Sequence, residues 1–594
     1  MCGIYGAVGS NIKKYSKELN SFDKLLHHRG PDGNGIYKSN NILLGHRRLN
    51  IIDLTSKANQ PMRSKNNNNI ISFNGEIYNY KQILNKLNLD PNKFGDTRAL
   101  IELFSRKGIL ALNELRGMFA IAIYDIKTKK TYLIRDRFGI KQLYYTFFDN
   151  CIFFASEIKP LLQLPIKRLP NDKIVQEYIN HTLLDHSDET FFKNIYKLEA
   201  GHYLEIENAC KTFKKKKWYS LIDRIKNKKT FNNIEDFKQK MLESLELHNI
   251  SDVDIGIALS GGLDSKILLD YFEKKKRDLK TNTFSFIFKN KKYSEEKGIE
   301  NNIGNHKVNK NFLNLDENIL QEIDKNILLQ EEPFGGAATI AMTKIFEMSQ
   351  KKKIKVILTG DGADDYLSGS RREIVYYLKE LKENHNELYK KEAADFCKIN
   401  KITIYNLEKM IQLINNGKTL SPDGTVAIED KLLKNYSAKK LKYMTFKESL
   451  FNRFMIAKLP KNLRFVDKSS MSASVEARVP YLDHKLVESG FSLNSENLIR
   501  NGNGKHVLRN FFSNEYFINS KIPVQIPQTL WLKKEKNIKY LIKNFKNNRE
   551  IIEKYVKVNE LINFLKSSKY KKINNSNFIW QILMITSWYN HFIE

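Results

Sequence analysis

From Ile255 to Ser265 the chain reads Ile255-Gly256-Ile257-Ala258-Leu259-Ser260-Gly261-Gly262-Leu263-Asp264-Ser265, an apolar strand running into a Ser/Gly turn and then a helix. That order leaves few folds open, because a buried strand feeding a helix through glycines is the unit of a parallel sheet with crossover helices. The helix puts Leu263, Ile267, Leu268, Tyr271 and Phe272 on one side. In the turn, successive backbone N–H groups and the helix amino terminus would converge on one point, an anion site made without a charged side chain. Ser260, Asp264 and Ser265 add polar ligands, and Asp264 is suited to a magnesium ion bridging phosphate oxygens. The chain has no Walker-type phosphate loop, which excludes the kinase and GTPase mode of nucleotide binding.

The pattern around this turn is consistent with it. Residues 231–247 have helical spacing, Thr283 to Phe288 is a strand, Thr339 to Ser349 a helix, and Ile354 to Thr359 a third strand. This third strand ends in a second turn, Thr359-Gly360-Asp361-Gly362-Ala363-Asp364-Asp365. Both turns are expected to open at the carboxyl edge of one doubly wound sheet, where such proteins bind ligands. Three carboxylates beside a phosphate loop repel one another and a nucleotide unless a cation compensates, so Mg²⁺ is expected. Residues 373–443 read as largely helical, rich in Lys and Asn, with no interpretable motif.

The first two hundred residues differ. Short runs rich in β-branched and aromatic residues, at Ile70 to Phe73, Met118 to Tyr124, Thr131 to Ile134, Leu143 to Thr146 and Cys151 to Ala155, alternate with helical spacing at Phe22 to His27 and Thr97 to Lys107. The reading is an α+β domain of stacked antiparallel sheets flanked by helices, closing near Gly201 to Leu204, with a Lys-rich stretch after it. The expected domains are 1–208 and 209–594.

The formal charge of +32 invites a nucleic-acid reading. The clusters Lys214 to Lys217, Lys274 to Arg277 and Lys351 to Lys353 lie among Asn-rich segments and accompany no nucleic-acid motif, so they read as solvated surface. No apolar run approaches the roughly 18 residues of a membrane span, and the amino terminus has no basic flank typical of a secretory signal. The expectation is a cytoplasmic protein with neither membrane nor specific nucleic acid as partner.

One of four widely spaced cysteines is Cys2, which after removal of Met1 would carry its own α-amine as a general base next to the thiol. Further along, Asn74 and the Gly75 N–H could form an oxyanion hole, Arg48 could pair with a substrate carboxylate, and Asp96 with an ammonium. Each residue taken alone also fits an ordinary structural role.

Together these residues carry a resemblance to the class II glutamine-dependent asparagine synthetases. Cys2-Gly3-Ile4, His28-Arg29-Gly30-Pro31-Asp32, Arg48-Leu49, Asn74-Gly75-Glu76-Ile77-Tyr78-Asn79 and Arg135-Asp136-Arg137-Phe138-Gly139-Ile140-Lys141 match that family's glutaminase half. Ser260 to Ser265, Glu332-Pro333-Phe334-Gly335, Gly360 to Asp364, Glu476-Ala477-Arg478-Val479-Pro480-Tyr481-Leu482-Asp483 and Gly504-Lys505-His506-Val507-Leu508-Arg509 match its second half.

The resemblance implies an N-terminal-nucleophile hydrolase fold joined to an ATP-pyrophosphatase domain. Cys2 would attack glutamine, with Asn74 and Gly75 on the oxyanion, Arg48 on the substrate α-carboxylate, and Asp96 with Glu76 on its ammonium. Ammonia would pass internally to a second site, where ATP adenylates aspartate. There Ser260, Gly261, Gly262, Asp264 and Ser265 would cradle pyrophosphate, and Asp264 and Asp364 would hold Mg²⁺. Leu259, Phe286, Thr359 and Gly360 would line the nucleotide, Lys505 would balance phosphate charge, and Asp361 would act beside the acyl-adenylate. A homodimer is expected by the same resemblance. Asp361 stands where many relatives have Glu, Lys266 replaces a usual Ser, and Leu367-Ser368-Gly369-Ser370 replaces a more aromatic run. The rival on the same scaffold is an amidotransferase acting on another carboxylate, such as a sugar acid.

Overall fold

The short apolar runs of the first half pair into two antiparallel sheets in the computed structural model. It describes residues 2–593 except 208–209, 211, 227–232, 276–279, 289, 292, 417–431, 433–444, 512–525 and 573–575. One sheet has the order Tyr196–Lys197, Tyr144–Phe148, Cys151–Ala155, Gly3–Gly9, Ile42–Arg48, Gly33–Lys38. The other has the order Thr212–Lys217, His202–Glu207, Lys130–Arg135, Gly117–Asp125, Asn69–Ile77, Met62–Arg63. Their facing sides meet in a layer containing Ile4, Leu44, Ala120, Leu133, Phe154 and Leu204. Gly3–Gly9 is buried throughout and central to its sheet, although its glycines hide it from a propensity reading.

Lys-rich Thr212–Lys217 pairs antiparallel with His202–Glu207 from His202↔Lys217 to Glu207↔Thr212. The expected division after residue 208 therefore falls inside a hairpin, and the basic stretch is an edge strand of the first domain. Its lysines are mostly exposed, as solvated surface should be, with Lys215 on Asp188 at 2.6 Å and Lys216 on Glu205 at 2.8 Å. Such charges also protect a sheet edge from pairing with another chain.

The second half builds the parallel sheet that its strand–helix rhythm implies. Its order is Val308–Leu315, Thr281–Phe288, Ile255–Ala258, Val356–Leu358, Glu476–Arg478, with every neighbouring pair parallel. The crossover helix Leu263–Lys275 follows the first turn as expected, and Ala337–Lys351 precedes Val356–Leu358. Residues 371–415 form three helices, Arg371–Asn384, Asn386–Asn400 and Ile404–Asn415, while most of the expected helical stretch beyond them lies outside the described residues. No helix among the described residues is long and apolar enough to cross a membrane.

The two domains share their packing. The final helix, Asn577–Phe592, is buried on nearly every side, and Trp588 stacks edge-on against Phe191 and Phe192 of the first domain. Charges cross the joint as well: Arg116 forks onto Asp483 at 2.9 and 3.0 Å and reaches Glu243 at 3.0 Å. Removing one partner of a buried pair strands the other charge, so Arg116→Ala should cost about 3–5 kcal/mol. Urea denaturation followed by tryptophan fluorescence reads this out, and a midpoint equal to wild type would show that the pair is not buried in solution.

Candidate functional site

Strand Asn69–Ile77 and the start of helix Asp96–Lys107 bring four of the expected residues together. Asn74, Gly75 and Glu76 sit consecutively on the strand, and Asp96 accepts from Ile77 N–H at 3.2 Å and from Thr97 N–H at 2.7 Å. A Cβ on Gly75, whose φ is +154°, would lie 2.0 Å from the Met118 carbonyl oxygen, so only glycine fits this approach to the neighbouring strand. Cys2 joins the group from the adjoining sheet, its backbone N donating to Asn74 Oδ1 at 3.0 Å. Asn74 Nδ2 is buried and donates no hydrogen bond, an exception among buried amides that points to a donor kept for a ligand.

Electrostatics distinguish the carboxylates of this site. Burial raises Asp96 to about 6, although the N–H groups of Ile77 and Thr97 pull it down. Burial and then the Asp96 charge push Glu76 well above the usual carboxylate range, opposed by Arg478. Burial also raises the Cys2 thiol, while a hydrogen bond from Leu49 N–H and the charge of Arg48 work the other way. Arg48, at the end of strand Ile42–Arg48, holds the 53–59 loop through Thr55 O at 2.7 Å, Asn59 Oδ1 at 2.8 Å and the Asp53 carbonyl. Its guanidinium therefore touches the thiol's field but is anchored by its own loop.

Sequence reasoning assigned no role to Arg29, whose Nε donates to Cys2 O at 3.2 Å. Burial opposes its charge, yet Asp467 and Glu157, at 3.0 and 2.9 Å, hold it above the ordinary arginine range. It lies in a quoted motif, so the position was visible, but its partner Asp467 is in the other domain.

The second cluster lies at the carboxyl edge of the parallel sheet, where both turns open. Asp264 starts the crossover helix, and the register Ile257↔Leu358 sets the Gly360 turn beside it. A Cβ on Gly360 would come within 2.9 Å of Asp264 Cβ. Lys505 Nζ reaches Asp264 Oδ2 at 2.5 Å and also pairs with Asp364. Burial lowers its pKa, but the two carboxylates outweigh that and raise it. Asp365 is paired with Arg453 at 2.8 Å, while Asp361 accepts from the Thr359 hydroxyl at 2.7 Å and is raised by burial and by its two acidic neighbours. Compensation for the acidic turn thus comes from Lys505 and Arg453. Leu259 is buried beneath the turn and Phe286 is half-buried on the next strand.

The Ser/Gly turn is internally bonded. Ser265 Oγ accepts from Ser260 N–H at 3.1 Å, Gly262 N–H donates to Ser260 Oγ at 3.1 Å, and Gly261 N–H donates to Glu295 Oε2 at 3.2 Å. Asn302 Nδ2 holds the turn from outside through Ser260 O at 2.8 Å. Buried N–H groups require acceptors, and neither Glu295 nor Asn302 carried a sequence signal because both come from the next crossover.

For magnesium the donor set fits. Two carboxylates, Asp264 and Asp364, converge on one cation at the mouth of the turn, and Mg²⁺ is commonly held by one or two carboxylates with phosphate and water completing its shell.

An antiparallel two-sheet domain with a buried cysteine nucleophile candidate, joined to a parallel-sheet domain with a Ser/Gly turn, defines the class of glutamine-dependent amidotransferases. A family model described as a glutamine amidotransferase domain matches residues 1–219, and one described as asparagine synthase matches residues 236–590, well over half the chain. The chain belongs to the asparagine synthase family, as an enzyme of its glutamine-hydrolysing branch. It is similar to asparagine synthetase [glutamine-hydrolyzing] 1 of Bacillus subtilis, 26% identical over 100% of this chain and 97% of that protein. It is also similar to asparagine synthetase [glutamine-hydrolyzing] 2 of the same organism, 29% identical over 82% of this chain and 66% of that protein. Asparagine synthetase B [glutamine-hydrolyzing] of Escherichia coli is 27% identical over 73% of this chain and 77% of its own length.

The contact between the two turns makes Gly360 a sharp probe. Gly360→Ala should push Asp264 aside and reduce ATP-dependent product formation by about tenfold or more, overpacking of this kind costing about 1–3 kcal/mol. Glutamine hydrolysis should stay near wild type. Parallel assays of glutamate and AMP release check this, and equal losses in both would place the damage elsewhere.

Proposed function

We propose that the enzyme hydrolyses glutamine at Cys2, conveys the ammonia within the molecule and uses ATP to amidate aspartate, giving asparagine, AMP and pyrophosphate. The observation that carries this reading is Asn74, which orients the Cys2 nitrogen with Oδ1 and keeps a buried Nδ2 donor in reserve. With Met1 removed, that nitrogen is the α-amine. The Cys2 sulfur then attacks the glutamine side-chain carbonyl carbon, and the thiol proton passes through the amine to the departing ammonia. Asn74 Nδ2 and the Gly75 N–H take the oxyanion. Arg48 and the pair Asp96 and Glu76 hold the two ends of the amino acid. Water hydrolyses the thioester to glutamate and frees the thiol.

In the second domain an oxygen of the acceptor carboxylate attacks the α-phosphorus of ATP, and pyrophosphate leaves into the turn of Ser260 to Ser265. Mg²⁺, held by Asp264 and Asp364, would neutralise charge on the phosphate oxygens. Lys505 faces the same charge, Leu259, Phe286, Thr359 and Gly360 line the nucleotide, and Asp361 stands beside the acyl-adenylate. Ammonia then attacks the activated carbonyl carbon and AMP leaves. An internal route is needed because ammonia in water is mostly protonated and not nucleophilic.

Mass spectrometry of products from ATP, Mg²⁺, aspartate and amide-labelled glutamine tests the whole sequence. Labelled asparagine with equimolar AMP is expected, and Cys2→Ala should lose it unless ammonia is supplied. Glutamate without asparagine or AMP would overturn aspartate as acceptor and favour another carboxylate such as a sugar acid.

The raised Asp96 adds a pH test. Below about 6 its carboxylate protonates and loses its attraction for the substrate ammonium, so the glutamine KM should rise roughly tenfold per pH unit under that point. An Asp96→Asn variant should show a high KM without that slope. A wild-type KM flat from pH 7 to 5 would remove Asp96 from the pocket.

A further inference from the structure

Arg478 belongs to the synthase domain, yet one nitrogen of its guanidinium faces Glu76 of the other domain. It is fully buried on the edge strand Glu476–Arg478, which pairs with Val356–Leu358 immediately before the Thr359 turn. Its carbonyl oxygen accepts from Thr359 N–H at 3.0 Å. Its guanidinium is fixed in plane by three hydrogen bonds, from Nε to Glu476 at 2.6 Å and from Nη1 to His248 O at 2.8 Å and Ile250 O at 2.6 Å. Nη2 donates no hydrogen bond and lies 3.5 Å from Glu76 Oε2. The Tyr78 ring lies 5.6 Å from the guanidinium and packs on His248 at 4.0 Å, so the group cannot easily turn away.

Glu76 follows directly after Asn74 and Gly75 and faces the carboxylates of Asp96 and Glu476. Burial and these two acids disfavour its charge, and the Arg478 guanidinium 3.5 Å away opposes them, as an incoming substrate ammonium would. We propose that Arg478 is a positioning residue of the glutamine pocket, holding the Glu76 carboxylate for the substrate ammonium across the domain boundary. One residue then carries both the Glu76 contact, through its side chain, and the Thr359 contact, through its backbone. The inference rests on the glutamine reading of the Cys2 site.

The test uses the full-length enzyme. Arg478→Lys keeps the charge but loses the planar fork, and the glutamine KM should rise about tenfold with kcat within about threefold. Ammonia-dependent amidation should change by less than about twofold, because the backbone contact to Thr359 survives the substitution. Glu76→Gln should raise the KM similarly, and Arg478→Lys added to Glu76→Gln should raise it no further, since the arginine acts through Glu76. An unchanged KM in Arg478→Lys, or a full additive loss in the double variant, overturns the proposal. If Arg478→Lys does not fold, Glu476→Gln, which weakens the Nε anchor while keeping the side chain's size, replaces it, with a KM rise of about threefold expected and no rise counting against. Glutaminase activity surviving in Cys2→Ala would instead defeat the underlying reading, and this inference with it.

Discussion

A guanidinium taken out of water costs several kcal/mol unless its hydrogens find acceptors and its charge a partner. Four arginines are nonetheless buried along the joint between the domains, and each is paired across it. Arg29 meets Asp467, Arg116 meets Asp483, Arg464 meets Asp185, and Arg478 faces Glu76. Such pairs tolerate little displacement, because a shift of an ångström or two leaves both charges desolvated and apart. The joint is therefore a geometric constraint more than a source of net stability. Arg464 shows the principle at one residue: besides Asp185 at 2.7 Å it donates to the Pro333 carbonyl at 2.9 Å, tying the Glu332 turn to the same seam. Glu332 itself accepts from Phe191 N–H at 2.9 Å.

The placement of charge differs between surface and interior. Most lysines of the +32 excess lie outside, as on the Thr212–Lys217 edge, while the two sites are dominated by acids. Around the second turn Asp264, Asp364, Asp365 and Glu373 are only partly balanced by Lys505, Arg453 and Arg372, and Asp361 accepts from the Thr359 hydroxyl. A site so arranged accepts a cation with its phosphate more readily than a bare polyanion, which is why the composition alone was a poor guide to ligands.

Local chemistry was legible in the sequence to the extent that it is local. The strand and turn at 255–265 and the second turn after Val356–Leu358 sit within motifs, and the parallel register sets the two turns side by side as the strand–helix rhythm implies. Three kinds of feature were not legible. Gly3–Gly9 is a central strand whose Ile4, Tyr5 and Val8 are interrupted by glycines of weak β-propensity, stabilised by neighbours on both sides. The Lys-rich 212–217 run has the composition of a linker but the hydrogen bonds of an edge strand. The ion pairs of the joint link residues hundreds of positions apart, and nothing in a single sequence says that Arg116 will face Asp483.

The Ser/Gly turn and its acidic neighbour, unlike Asn74 Nδ2, hold their polar groups on internal substitutes. Glu295 accepts the Gly261 N–H that a phosphate oxygen would take, and Lys505 bridges the two carboxylates suited to a metal. A ligand entering the turn exchanges one set of charge-assisted hydrogen bonds for another, so its affinity is a difference between similar terms. Such an exchange favours a ligand that brings both partners at once, anion for the N–H groups and cation for the carboxylates. On the proposed function nucleotide and metal together would satisfy this, whereas either alone would leave Glu295 displaced or Lys505 unmatched. On the proposed reading the turn would be selective through the groups it already pairs, whereas Arg478 works through an open one, its three fixed hydrogen bonds leaving a single nitrogen to meet Glu76.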